Sequence, residues 1–399
     1  MPADRFQLRL SRELDRLADQ NRIRRRRQVE SVSSTVCLVD GRTCVDFSSN
    51  DYLALAHHSE VLRAAGEVTA HQVGARSSPL VGGRSVWHEQ LEQALAEFEQ
   101  APAALLFPSG YAANSGTLSS LVTSRDAVFC DRENHASIVD GCRLAAGRMF
   151  VYRHDQPDRL RDAVARRRTQ YEQLFIVTDS VFSMDGTLAP LDELCDLAER
   201  FGAVLVVDEA HGTGVFGRTG HGVCEHLQVT QRVAVRVATL SKAIGVHGGF
   251  VAGSTALCDW LWNTARSQFF STALPPASCA AALVSLRILQ RDAARRDRLE
   301  ANCRFARERL AAEELPSISG SSGPIVPVIL GSEEAAVRVS RQLLDAGFFV
   351  PAIRPPSVAP GTSRLRMSLC CDHTDQQIAA VIEAIRDAVR EFRHHSAVT

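Results

Sequence analysis

One lysine stands among the 45 basic residues of this 399-residue chain, Lys242 in Thr239-Leu-Ser-Lys-Ala-Ile-Gly245, and every other cation is arginine. An ammonium can shed its proton and attack a carbonyl, whereas a guanidinium stays protonated and is a poor nucleophile. Position 242 therefore reads as a lysine kept for its chemistry; the plain alternative is an arginine-rich coding bias that left one lysine behind. Thr239 and Ser241 set hydroxyls beside the amine, and Gly245, Gly248 and Gly249 permit close backbone approach. Asp208-Glu-Ala-His211 places a carboxylate and an imidazole after an apolar run at 203–207. A carboxylate there is costly to bury without a partner. A bound cationic or aromatic ligand would be that partner; a carboxylate capping the next loop is the structural alternative. His135, Asp179 and Ser183 also follow apolar runs. Pro108-Ser-Gly110 turns from an apolar run into a helix opening at Tyr111, and the free N–H groups of a helix N-terminus suit a phosphate. Late in the chain, Ile353-Arg-Pro-Pro-Ser357 and Gly361-Thr-Ser-Arg-Leu-Arg366 set arginines beside rigid backbone, where a carboxylate can be clamped through two bonds.

The elements that must carry these residues follow from periodicity. Apolar runs at 103–107, 127–130, 148–152, 174–178, 203–207 and 233–238 alternate with helical spacing, as at 87–99, from 111 onward and at 158–170. This predicts a mainly parallel sheet covered on both faces, with ligand groups at the carboxyl ends of its strands. Ahead of it, Leu8, Leu10, Leu14 and Leu17 predict an amphipathic helix over 1–20, and 35–40 and 43–47 predict a hairpin about Asp40-Gly41. Asn50 and Asp51 are placed to cap the next helix, and 74–83 reads as a loop. Arg22-Ile-Arg-Arg-Arg-Arg27 is a solvated face or an anion-binding arm. Beyond Gly253 the spacing is helical to about residue 310; Gly320-Ser-Ser-Gly-Pro324 then breaks it, and a smaller unit with strands at 325–330 and 365–369 follows. The expected organisation is an N-terminal segment at 1–50, a large α/β domain at 51–282 and a small domain at 283–399.

Composition sets the outer limits. Hydrophobic residues make up 45% of the chain and charged ones 23%, which fits a globular protein with a large core. A formal net charge of −1 offers no general attraction to nucleic acid or an anionic membrane. The 11 cysteines include no Cys-x-x-Cys pair, so neither a zinc site nor a disulfide framework is suggested, and reduced thiols point to a cytoplasmic setting.

In their order along the chain, these stretches resemble the α-oxoamine synthases, pyridoxal 5′-phosphate enzymes of fold type I that condense an amino acid with an acyl thioester and release carbon dioxide. The matching residues span nearly the whole chain: Phe47-Ser-Ser-Asn-Asp-Tyr-Leu53, Phe107-Pro-Ser-Gly-Tyr-Ala-Ala-Asn114, Asn134-His-Ala-Ser137, Val181-Phe-Ser-Met-Asp-Gly186, Val207-Asp-Glu-Ala-His-Gly-Thr-Gly214 and Thr239-Leu-Ser-Lys242. The segment 353–366 looks most like the branch that joins L-alanine to a pimeloyl thioester in biotin formation. A second branch, which uses glycine and acetyl-CoA, is similar at the cofactor residues.

The resemblance implies an α/β fold type I enzyme, its mainly parallel central sheet flanked by helices, with a smaller C-terminal α+β domain. It implies that Lys242 takes the cofactor aldehyde, Asp208 pairs with the pyridine nitrogen and His135 stacks on the ring, where it also meets the substrate. Ser183 and His211 would contact the ring oxygen, and Gly110, Tyr111 and Thr239 the phosphate. Thr272 would reach the same phosphate from a second subunit, which makes a homodimer part of the expectation. Arg366, with Asn50 nearby, would bind the amino-acid carboxylate. Arg24 and Ser357 would contact the acyl substrate, carried by coenzyme A or an acyl-carrier protein. Metal, nucleic acid and membrane have no part in it. Two departures fall on the substrate side: Asp179 stands where the branch often has Glu, and 75–83 differs from the usual glycine-rich segment. A non-catalytic nucleotide-binding module would leave Asp208, His135 and the single lysine unexplained.

Overall fold

The computed structural model describes residues 2–398; Met1, included in the first expected helix, lies outside them. Two compact units are present. The larger comprises Asn50–Ser183 and Thr187–Arg298; the smaller comprises the chain up to Ser49, Met184–Gly186 and the chain from Leu299 onward. By packing, the N-terminal segment thus belongs with the C-terminal residues.

The smaller unit opens with α1 (Pro2–Asp19), whose Leu8, Leu10, Leu14 and Leu17 are exposed. Then come β1 (Val29–Ser31), β2 (Val36–Val39) and β3 (Arg42–Asp46), with β2 and β3 antiparallel. Their turn has positive φ at both Asp40 (50°) and Gly41 (82°), the twist that a two-residue hairpin requires. Strand β1 was not anticipated: its three residues are all exposed, so no alternation marks it.

The larger unit runs through α2 (Ser59–Thr69), α3 (Val86–Phe98), β4 (Ala103–Phe107), α4 (Gly110–Leu121), β5 (Ala127–Asp131), α5 (Ala136–Leu144), β6 (Arg148–Tyr152), β7 (Leu174–Asp179), β8 (Ala203–Asp208), β9 (Val235–Thr239) and β10 (Gly249–Gly253). Its seven strands lie in the order β4-β10-β9-β8-β7-β5-β6. Strands β6, β5, β7, β8 and β9 are parallel, and β5, β7 and β9 are buried along their whole length, which is why they read as continuous apolar runs. Val128, Val177, Val206 and Val237 pack with Ala113 and Leu118 of α4 and Ile138 of α5 in one core cluster.

Sequence reasoning did not foresee β10. It is antiparallel to both β9 and β4, and glycines at each end hid it, since glycine is depleted in strands. Capping also differs from expectation. The Asp51 carboxylate accepts from Leu55 and Ala56 N–H at 2.9 and 3.0 Å and closes a turn, while α2 starts later with His58 as its N-cap. The loop at 74–83 contains one wide helical turn, Pro79–Gly83.

The rest of the smaller unit contains β11 (Ile325–Gly331), β12 (Phe348–Phe349), β13 (Ala352–Ile353) and β14 (Ser363–Ser368). Strand β14 lies between β11 and β13, antiparallel to both, and β12 joins β3 in parallel. His373 ties the two ends of this unit together. Its Nε2–H donates to the Asp46 carbonyl (3.0 Å), its Nδ1 accepts from Cys370 N–H (2.9 Å), and its ring stacks on Phe47 at 4.4 Å. Burial pushes the imidazole down from its ordinary 6.5 to about 4, against the raising effect of Asp46.

An imidazole with a depressed folded pKa contributes fully above its unfolded value and loses that contribution as pH falls toward the folded one. Between pH 6.5 and 4 the loss should be roughly 3 kcal/mol. In urea unfolding, the stability difference between the unmodified protein and His373→Gln should shrink by that amount over this window; a difference that stays constant with pH would contradict the assignment.

Candidate active site

Three backbone segments converge where β4 turns into α4. Ser109 caps the helix, its Oγ accepting from Ala112 N–H at 3.1 Å. A Cβ on Gly249 would lie 2.5 Å from Gly110 N and Ser109 C and O, and one on Gly110 would lie 3.1 Å from the Thr239 Cβ. Glycine at both positions is therefore a condition of this close approach. The Tyr111 hydroxyl is engaged, donating to Asp140 Oδ2 at 2.5 Å, and that bond raises the phenol pKa. What α4 offers an anion is its first N–H groups, which have no intrahelical acceptor. Thr239 closes the turn from the other side, donating its hydroxyl to the Gly248 carbonyl (2.8 Å), with Ser241 Oγ 2.8 Å away.

Beside this turn, β7 and β8 end in register with Asp179 opposite Asp208. Asp208 is 5% exposed, and its carboxylate accepts from Asn114 Nδ2 (2.6 Å) and Ala210 N–H (2.7 Å). Both of these donors are neutral. Asp179 Oδ2 accepts from the backbone N–H of His135 at 2.6 Å, and Asn134 Oδ1 accepts from Asp179 N–H at 2.9 Å, so this carboxyl fixes the loop that carries the histidine. Burial, reinforced by Asp208, raises the Asp179 pKa well above the carboxylate range, opposed by the His135 N–H and by Lys242.

His135 caps α5 and has Ser137 Oγ 2.7 Å from its Nδ1; Ser137 Oγ also accepts from Asn114 Nδ2 at 2.9 Å. His135 is exposed. The protein packed behind it disfavours the charged form and lowers its pKa; Asp208 raises it and Lys242 lowers it further. The ammonium of Lys242 thus acts on both His135 and Asp179. Across the β8 end, His211 Nδ1 lies 2.7 Å from the Tyr52 hydroxyl, which donates to Asn50 Oδ1 at 3.1 Å. Glu209 has a separate role: its buried carboxylate takes Ser180 Oγ–H and the N–H groups of Val223 and Cys224 at 2.7, 3.0 and 2.7 Å, anchoring the following loop.

Of the residues singled out from sequence, Gly110 and Thr239 meet at the turn, and Asp208, His135 and Lys242 meet beside it. Asn50 and His211 are joined through Tyr52. Ser183 follows β7 in the same unit and is partly buried. Thr272 is exposed between helices Arg266–Phe269 and Pro276–Arg291. Arg24, Ser357 and Arg366 lie in the smaller unit. There Arg366, on β14, is 6% exposed and donates to Ser368 Oγ at 2.8 Å, while Arg24 and Ser357 are exposed. Arg354 is already used, donating to the Asn21 and Ile23 carbonyls, and Arg364 pairs with Asp185. Burial lowers the Arg354 pKa, and the like charge of Arg24 lowers it further. Sequence reasoning missed Tyr52, Ser137 and Asn114 as site residues. All three sit inside recognised stretches, but Tyr52 meets His211, and Asn114 meets Ser137 and Asp208, from far along the chain.

The donor set fits pyridoxal 5′-phosphate. A helix N-terminus and a hydroxyl suit its phosphate, an amine its aldehyde, and a buried carboxylate suits a protonated ring nitrogen. Comparisons with known proteins agree. The family model for aminotransferase class I and II matches residues 42–385. The chain is 46% identical to an 8-amino-7-oxononanoate synthase of Methylococcus capsulatus, over 91% of this chain and 94% of that protein. It is 41% identical to 8-amino-7-oxononanoate synthase 2 of Bacillus subtilis, over 96% and 98%. Among solved structures, a serine palmitoyltransferase of S. paucimobilis with bound PLP and myriocin superposes with a TM-score of 0.91 at 30% identity, covering 96% of this chain and 97% of that one. An 8-amino-7-oxononanoate synthase from Francisella tularensis gives 0.76 at 30% identity, covering 88% and 99%.

Because Gly249 leaves no room for a Cβ against the Ser109-Gly110 backbone, Gly249→Ala should destabilise the protein by about 1–3 kcal/mol, the usual cost of overpacking. It should also weaken PLP uptake more than a matched substitution at the other end of β10. Unchanged melting and unchanged cofactor titration would show that the close approach is dispensable.

Proposed function

The chain belongs to the aminotransferase class I and II family and, within it, to the α-oxoamine synthases, pyridoxal 5′-phosphate enzymes of fold type I; from that premise we propose that it condenses L-alanine with a pimeloyl thioester to give 8-amino-7-oxononanoate and carbon dioxide. The observation that carries the cofactor site is the buried Asp208 carboxylate, held by neutral donors beside the single lysine. When bound, the cofactor supplies an electron sink for the negative charge that develops on the amino-acid α-carbon. Lys242 would hold its aldehyde and would serve as the base for the amino-acid α-proton, a task suited to a lysine amine. Asp208 would keep a proton on the ring nitrogen and so stabilise the site where charge develops. His135 would cover the ring face, Ser183 and His211 would meet the ring oxygen, and Gly110, Tyr111 and Thr239 would hold the phosphate. A homodimer would add Thr272 of the partner subunit.

For the substrates we assign Arg366 and Asn50 to the amino-acid carboxylate, and Arg24 and Ser357 to the acyl group. The many relatives named 8-amino-7-oxononanoate synthase support alanine and the pimeloyl chain. So does the pairing of Arg24 with the like charge of Arg354, which suits the far carboxylate of a pimeloyl group. One observation favours a second reading, serine with a long acyl thioester: the superposition is closer on the serine palmitoyltransferase than on the Francisella enzyme. No helix among the described residues is long and apolar enough to cross a membrane.

Purified protein assayed with alanine, glycine or serine against pimeloyl, acetyl and palmitoyl thioesters decides between these readings. Alanine with the pimeloyl thioester should be fastest, and a preference for any other pair would overturn the assignment. Arg24→Ala should lower kcat/KM for the pimeloyl thioester by about ten- to a hundredfold, the worth of a lost charge-assisted bond. Thioesters without a terminal carboxylate should be unaffected; equal loss with all of them would move Arg24 to the carrier.

A further inference from the structure

The Nδ1 of His135 accepts from the backbone N–H of Ser137 at 3.3 Å. A backbone N–H can only donate, so this nitrogen carries no proton, and a neutral ring then has its proton on Nε2. The Ser137 hydroxyl, 2.7 Å from the same nitrogen, must donate to it as well. With its proton so directed, Ser137 Oγ accepts one proton of Asn114 Nδ2 (2.9 Å), and the other goes to Asp208 Oδ2 (2.6 Å). An ionised carboxylate only accepts, which fixes the orientation of the Asn114 amide. Each donor in the chain Asp208, Asn114, Ser137, His135 therefore has one direction. Ser137 and Asn114 are 0% and 2% exposed.

We propose that Asn114 and Ser137 are positioning residues that hold His135 as the neutral Nε2–H tautomer whenever Asp208 is ionised. The proposal rests on the reading that His135 covers the ring whose nitrogen Asp208 keeps protonated. That ring is then cationic, and an imidazolium against its face would set two like charges in contact, whereas a neutral imidazole offers a polarisable face. One amide and one hydroxyl thus join the two protonation states: carboxylate at one end, neutral imidazole at the other. The groups facing His135 pull both ways. Asp208 at the end of β8 and Asp140 on α5 favour the charged ring, Lys242 after β9 opposes it, and Asp179 on β7 is bonded to the backbone N–H of His135 rather than to the ring. With two carboxylates pulling toward the charged form, the donors on Nδ1 have something to hold against.

The relay is tested by NMR titration of the full protein labelled with 15N-histidine, before and after PLP is added, with His135→Asn identifying the signals. Nδ1 should show the shift of an unprotonated nitrogen and Nε2 that of a protonated one. Ser137→Ala removes a donor to the neutral form and should raise the His135 pKa by about half a unit to one unit. The acid limb of the kcat–pH profile should move up with it, and Ser137→Thr, which keeps the hydroxyl, should restore both. Asn114→Ala should shift the same pKa in the same direction, and decides the matter if Ser137→Ala does not fold. A proton on Nδ1 in the unmodified protein, or variants that lower activity without moving the His135 titration, would overturn the proposal. Failure of the cofactor reading would show separately, as no PLP uptake by a protein whose tautomer is still measured.

Discussion

A carboxylate buried at the end of a central strand is the constraint from which the rest of this site follows. Asp208 is the last residue of β8, flanked in register by a second buried carboxyl, Asp179. Two such groups repel, and the structure separates their roles. Asp179 is turned toward the His135 backbone N–H, and burial together with the neighbouring Asp208 raises its pKa. Asp208 in turn accepts from an amide and a backbone N–H, which stabilise a carboxylate without neutralising it. A buried charge left at that stage is expensive unless a cation completes it, and a protonated pyridine nitrogen is a cation of the right kind.

Backbone geometry supplies the second half of the site. The antiparallel strand β10 inserted between β4 and β9 brings Gly249 against Gly110 on one side and pairs it with Thr239 on the other. The same glycine thus sets the distance between the helix N-terminus suited to an anion and the strand end that leads into Lys242. Exchanging it for a residue with a side chain would move both together.

Much of this was legible in the sequence because the parallel strands are buried on both faces and announce themselves as apolar runs, with chemistry-bearing residues directly after them. Lys242, Asp208, His135 and Gly110 could be found that way. What could not be found were groups that act through side-chain contacts between segments far apart in the chain. Tyr52 touches His211 across 159 positions of chain, and Asn114 touches Asp208 across 94. Local periodicity carries no information about either contact. Strand β10 was hidden by its terminal glycines, and Asp51, which looked like a helix cap, closes a turn instead because α2 begins later. The arginines near the end show the same limit. Arg354, Arg364 and Arg366 look alike in sequence, yet Arg354 holds backbone carbonyls and Arg364 an aspartate, and only side-chain geometry sorts them.

The central claim is that the single lysine carries the cofactor opposite Asp208. Lys242 is the chain's only side-chain amine, so borohydride reduction of PLP-loaded protein, followed by digestion and mass spectrometry, reads it directly. One peptide bearing a pyridoxyl group, containing residue 242, is the predicted result. Absence of any modified peptide, or modification at the α-amino terminus alone, would contradict the account.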